Sequence, residues 1–158
     1  MSVFDAVGFD FHDLSGDLEP LILDVMTTSA ADERAAAFAD VRDRIIDHFE
    51  AVEPTLYLAL RRFPHLSMNL MEAERARDEI RRCLTSLSLV PADTDAWLGL
   101  FVALSAGVRR YLGDTEARLV HVAARALGPG ELRRLGVEAN RIRGIHAADY
   151  SRRETAGD

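Results

Sequence analysis

Apolar residues recur at three- and four-residue intervals through most of this chain, and no segment sustains a period of two. That spacing places apolar side chains along one face of an α-helix, and it leaves no strand with a buried side. No Asn-Gly or Asp-Gly pair offers a tight hairpin, and Pro and Gly stand where helices would start or stop. The fold class expected is therefore all-α.

The first helix is expected over about residues 16–28, capped by Ser15, with Leu18, Leu21, Ile22 and Val25 inward. Pro20 is tolerable only near its start. Ser29 and Asp32 suggest a cap for a second helix to about Arg62, with Phe38, Val41, Ile45, Phe49, Val52, Leu56 and Leu60 inward. Pro54 lies inside it and removes a backbone donor, so a kink or break is expected there. Asn69 and Glu72 read as a capping box for a third helix to about Ser88, with Leu70, Arg77, Ile80, Leu84 and Leu87 inward. Thr94 reads as the cap of a fourth, reaching Leu127, with Trp97, Phe101, Leu104, Val108, Tyr111 and Leu119 inward. Gly128 and Gly130 stop it, and a short helix over about residues 131–140 follows. Residues 1–14 are expected to be an extension, 15–143 the domain, and 144–158 a flexible tail. Four amphipathic helices with short connections imply an antiparallel up-down four-helix bundle with a short C-terminal helix.

With 158 residues the chain suits one domain. A net charge of −7 argues against nucleic acid or an anionic membrane as partner. All 19 basic residues are Arg, which reads as the codon bias of a GC-rich, bacterial genome. Cys83 stands alone, so no intrachain disulfide forms; it reads as a small core filler, and a cytoplasmic setting fits. The amino terminus is acidic where a secretion signal is basic, and no run reaches the about 20 apolar residues of a membrane span.

Two stretches are alike: residues 46–60, IDHFEAVEPTLYLAL, and residues 108–121, VRRYLGDTEARLVH. Both resemble the His, three residues, two Glu pattern of the hemerythrin-like, or HHE cation-binding, family. Residues 74–80, ERARDEI, sit where that family has Glu-His before Leu or Ile, and residues 127–136, LGPGELRRLG, resemble its closing short helix. The similarity spans roughly residues 15–140.

The resemblance implies a bundle whose interior holds two irons on His and Glu ligands. His48 keeps the His of the second helix. Its Glu partner corresponds to Val52, with Glu53 one step round and pointing about 100° away. The third-helix His corresponds to Arg77, and the fourth-helix pair to Tyr111 and Thr115, with Glu116 again one step off. The first-helix His falls near Ser15, where only His12 is close. Losing most donors removes the affinity for iron. A guanidinium at Arg77 would lie near the old iron volume and repel a cation.

Three readings of these residues follow. Arg77 pairs with Asp17, Glu53 or Glu116 in a polar core network. Or His48, Arg77, Tyr111 and Thr115 line a central cavity that holds a small anion or carboxylate. Or His48, Glu53, Glu116 and His121 form a displaced iron set for oxygen, nitric oxide or peroxide chemistry. The preferred reading is a non-catalytic module with no cofactor, acting through a small ligand or a protein partner. His121 suits an exposed position better than ligation, and His12, His65 and His146 have no spacing that recommends them. No nucleophile elbow, phosphate loop or His-Glu-x-x-His motif is present, so no catalytic reaction is indicated.

Overall fold

The computed structural model describes the backbone of residues 14–156 and the side chains of residues 14–144. His12 and the extension expected over residues 1–14 lie outside or at the edge of that range, and the His146 side chain lies beyond it. Every regular element among the described residues is helical.

Helix α1 spans Leu14–Thr27 and buries Leu14, Leu18, Ile22 and Val25. Ser15 lies inside it rather than capping it. At its end Thr27 and Thr28 donate their hydroxyls to the carbonyls of Leu23 and Asp24, at 2.8 and 2.6 Å. Helix α2 spans Ala31–Val52, and Ala30 stands at its cap without a side-chain bond, so Ser29 does not serve there. Asp32 and Glu33 in the first turn oppose the helix dipole's positive end instead.

Chain direction survives Pro54. The helix passes through a π-turn, Glu53–Tyr57, and resumes over Leu58–Leu60. A proline ring clashes with the carbonyl four residues back, and one wider turn relieves the clash without ending the helix. Thr55 steadies the turn by donating its hydroxyl to Ala51 O at 2.6 Å.

A 3-10 turn, Pro64–Leu66, leads into helix α3, Ser67–Leu89. The helix thus starts ahead of the expected capping box at Asn69 and Glu72, and Glu72 faces Arg118 at 3.2 Å instead. Helix α4 begins at Asp95, where Thr94 Oγ1 accepts the Trp97 backbone N–H at 3.2 Å, as its cap position requires. It runs to Arg110, widens into a second π-turn, Tyr111–Glu116, and continues over Ala117–Leu127. Gly128 stops it with φ +81°, a conformation that favours glycine.

Helix α5 then runs Pro129–Ala156, far beyond the short helix expected. The flexible tail expected from Gly144 is therefore helical to Ala156. Charged residues at three-residue spacing, Glu131 with Arg134 and Glu138 with Arg141, support the helix where the apolar stripe fades.

Helix α1 packs on α2, α3 on α4, and α5 on both α2 and Ala117–Leu127. The core holds one aromatic cluster of Trp97 stacked on Phe101 with Phe38 edge-on to both, tied down where Trp97 Nε1 donates to Leu87 O at 3.0 Å. A second aromatic group, around Phe49 and Tyr111, surrounds the polar centre described next. No helix of the described residues is long and apolar enough to cross a membrane.

Candidate functional site

The two π-turns face the same buried spot. Helix α2 supplies His48 and its π-turn supplies Tyr57, while the π-turn of α4 supplies Tyr111 and Glu116. His48 Nε2 lies 2.6 Å from Glu116 Oε1, and the two residues are 2% and 0% exposed. The Tyr111 hydroxyl donates to that same Oε1 at 3.2 Å, and the Tyr57 hydroxyl donates to the Tyr111 oxygen. The four polar groups form one chain: Tyr57, Tyr111, Glu116, His48. Glu116 Oε2 is buried and has no hydrogen-bond partner.

A buried carboxylate is costly unless donors surround it, and here an imidazole and a phenol supply them. Phe49 and His48 pack edge-on to the Tyr111 ring at 5.3 and 6.5 Å, which keeps water away from the chain. Both phenols have pKa values raised above the ordinary phenol value. Burial is the main cause, and the Glu116 charge is the next.

That shift has a sign. A phenol whose folded pKa is raised stabilises the fold below its unfolded value and loses that contribution as pH climbs past it. Stability is therefore expected to hold through neutral pH and to fall above about pH 10, by up to roughly 1.4 kcal/mol per pH unit for each phenol. Burial raises the Cys83 thiol as well, so the comparison is made in a Cys83→Ser background. Urea midpoints at about pH 8, 10 and 11 check this, and the Tyr57→Phe/Tyr111→Phe variant should flatten the decline. An equal decline in that variant would place the alkaline sensitivity elsewhere.

Glu116 corrects the sequence expectation. On an uninterrupted α-helix it would point away from the face that carries Tyr111. The wider π-turn stacks residues five apart, so Tyr111 and Glu116 meet. Thr115, expected to face inward, is half-buried to one side and takes no part in the chain. Tyr57 was not expected at the site at all. A signal for the π-turns was available: each look-alike stretch has a Glu five residues after the ligand-like position, Glu53 after His48 and Glu116 after Tyr111, and Pro54 sits in the first of the two turns.

Arg77 also departs from expectation. It lies beside the centre rather than in it, its guanidinium 5.8 Å from the Tyr57 ring centroid. Glu53 answers it at 3.2 Å and Asp78 at 3.0 Å, with Glu74 at 3.9 Å. Arg81 reaches the same Glu53 oxygen at 2.8 Å. Of the three acids expected as partners, Glu53 is the one. Asp17 serves Arg143 and Arg44, and Glu116 serves His48.

The displaced ligand set is not brought together either. His121 is exposed and Glu53 is held in ion pairs, leaving His48 and Glu116 as its only members in contact. Among the described residues no three His, Cys, Asp or Glu side chains converge on one point.

Beside the buried chain a half-open groove of about 200 Å³ runs between α3 and α4. Ala76, Ile80 and Leu104 give it apolar walls, Tyr111 and Thr115 line it in the π-turn, and the exposed Glu79 and Arg110 also border it, one of each charge. Arg110 is exposed and forms no ion pair among the described residues. Cys83 lines the groove too, and its thiol donates to Leu100 O at 3.5 Å, consistent with a filler rather than a reactive group. Compared with protein-family models, curated proteins and solved structures, the chain has no significant match.

Proposed function

We propose that this chain is a hemerythrin-like domain, with α1 to α4 as an antiparallel up-down four-helix bundle, that works without catalysis as a binding module for a small apolar carboxylate. The pairing of α1 with α2 and of α3 with α4 through short connections supports that arrangement. Two bridged irons would need several carboxylates and imidazoles around one point. The centre brings one of each together with two phenols. That donor set does not suit a di-iron pair.

The observation that carries the binding reading is the groove. It combines apolar walls, the Thr115 hydroxyl and, besides the exposed Glu79, a guanidinium at Arg110 that forms no ion pair among the described residues. Such a cleft suits a ligand with a hydrocarbon body and one carboxylate, because apolar surface gives affinity and a fixed cation orients the anion. The cation differs from the one expected, since Arg77 is already engaged with Glu53.

Benzoate is a suitable probe. Titrated into ¹⁵N-labelled protein, it should shift the amides of Ala76, Gly107 and Thr115 in a saturable way. Arg110→Ala should weaken that binding by about tenfold, the effect of losing one charge-assisted contact. Absence of saturable shifts at the groove, or equal affinity in Arg110→Ala, would contradict the reading.

A further inference from the structure

We propose that the groove between α3 and α4 takes an α-amino acid with an apolar side chain, held as a zwitterion between Glu79 and Arg110. The inference rests on the reading of this groove as a binding cleft and narrows its ligand class.

Two hydrogen bonds set the register of the groove's walls. Trp97 Nε1 donates to Leu87 O at 3.0 Å and the Cys83 thiol to Leu100 O at 3.5 Å, so α3 and α4 run antiparallel. About two turns further along, Ala76 and Gly107 stand level with each other. They leave the groove open there, since a Cβ at Gly107 would meet nothing across it within 4 Å. Glu79 stands to one side of that gap on α3, and Arg110 to the other side on α4. Helical side chains lean toward the amino-terminal end of their own helix. On antiparallel helices these two therefore lean toward one another over the gap.

Both charges are available. Glu79 is exposed and has Arg75 and Arg82 about one turn away on its own helix. It forms no ion pair with either of them, nor with Arg110, among the described residues. A carboxylate alone gains from Arg110 and loses to Glu79. A ligand with a carboxylate and an ammonium on one carbon satisfies both, and its apolar side chain is left to lie on Ile80 and Leu104.

The test titrates probes of one shape into the ¹⁵N-labelled full chain: L-phenylalanine, 3-phenylpropionate, which lacks the ammonium, and phenethylamine, which lacks the carboxylate. L-Phenylalanine should bind at least about fivefold more tightly than either. Glu79→Gln should bring L-phenylalanine down to the affinity of 3-phenylpropionate. Gly107→Leu fills the gap and should abolish binding of every probe, with circular dichroism establishing that the variant is folded. L-Phenylalanine bound no more tightly than 3-phenylpropionate or phenethylamine, or bound equally by Glu79→Gln, overturns the zwitterion; saturable benzoate binding then leaves the carboxylate reading standing. No saturable shift with any probe, benzoate included, overturns both. L-Phenylalanine bound through Glu79 where benzoate is not bound upholds the inference and restricts the groove to zwitterions.

Discussion

Glu116→Ala is expected to cost the fold about 3–5 kcal/mol, the loss typical of removing one partner from a buried pair. The truncation leaves His48 Nε2 and the Tyr111 hydroxyl without their shared acceptor, in a place that is closed to solvent. It also leaves a void between α2 and α4. Against a whole-domain stability of roughly 5–15 kcal/mol, such a loss moves the urea midpoint far enough to be unmistakable. Glu116→Gln preserves the shape and one acceptor oxygen, so its cost should be smaller, about 1–2 kcal/mol. Glu53→Ala provides the contrast. Glu53 is partly exposed and bridges Arg77 and Arg81, so its loss should cost no more than about 1 kcal/mol. If Glu116→Ala and Glu53→Ala proved equally mild, Glu116 would have to lie at the surface.

Deleting Gly113 should be tolerated, whereas deleting Ala106 should abolish folding. Both are exposed positions on α4 or its π-turn, and each deletion removes one residue. A π-turn is one residue too many for the α-helical repeat, so shortening it restores regular winding and keeps the flanking faces in phase. Tyr111 and Glu116 would then stand four residues apart, still on one face. A glycine is also removed from a helix, where it costs about 1 kcal/mol relative to alanine. Ala106 lies in regular helix, and its removal rotates the preceding segment by about 100° against the rest. Trp97, Phe101 and Leu104 would then lose their seats relative to Val108, Tyr111 and Leu119, all of them buried. Circular dichroism melts of the two deletions check this. A cooperative transition is expected for the first and none for the second; equal behaviour would argue against the π-turn.

Much of the fold was legible because burial imposes a period on the sequence. The stripes Leu18, Ile22, Val25 and Phe38, Val41, Ile45, Phe49 are the buried faces of α1 and α2. Thr94 caps α4, and Gly128 ends its continuation, each for a local stereochemical reason. The site was less legible because a π-turn appears in sequence only as a one-residue slip. Reading Tyr111 and Glu116 on a regular helix separates two groups that the structure joins, and the same assumption turned Thr115 inward. Arg77 was placed by its spacing from Leu70 and Leu84, but a long side chain can leave the apolar face and reach an acid at the rim. Glu53 is that acid, and the choice among Asp17, Glu53 and Glu116 depended on the folded arrangement. Helix α5 outran expectation because its far half lacks the apolar stripe on which helix reading relies.

The π-turn aims Glu116 at His48 inside the protein, and nuclear Overhauser effects test that placement most directly. In the aromatic-labelled wild-type chain, cross-peaks are expected between the Glu116 Hγ protons and the ring protons of both His48 and Tyr111. A Glu116 side chain that shows neither contact and relaxes like an exposed, freely rotating one would contradict the account.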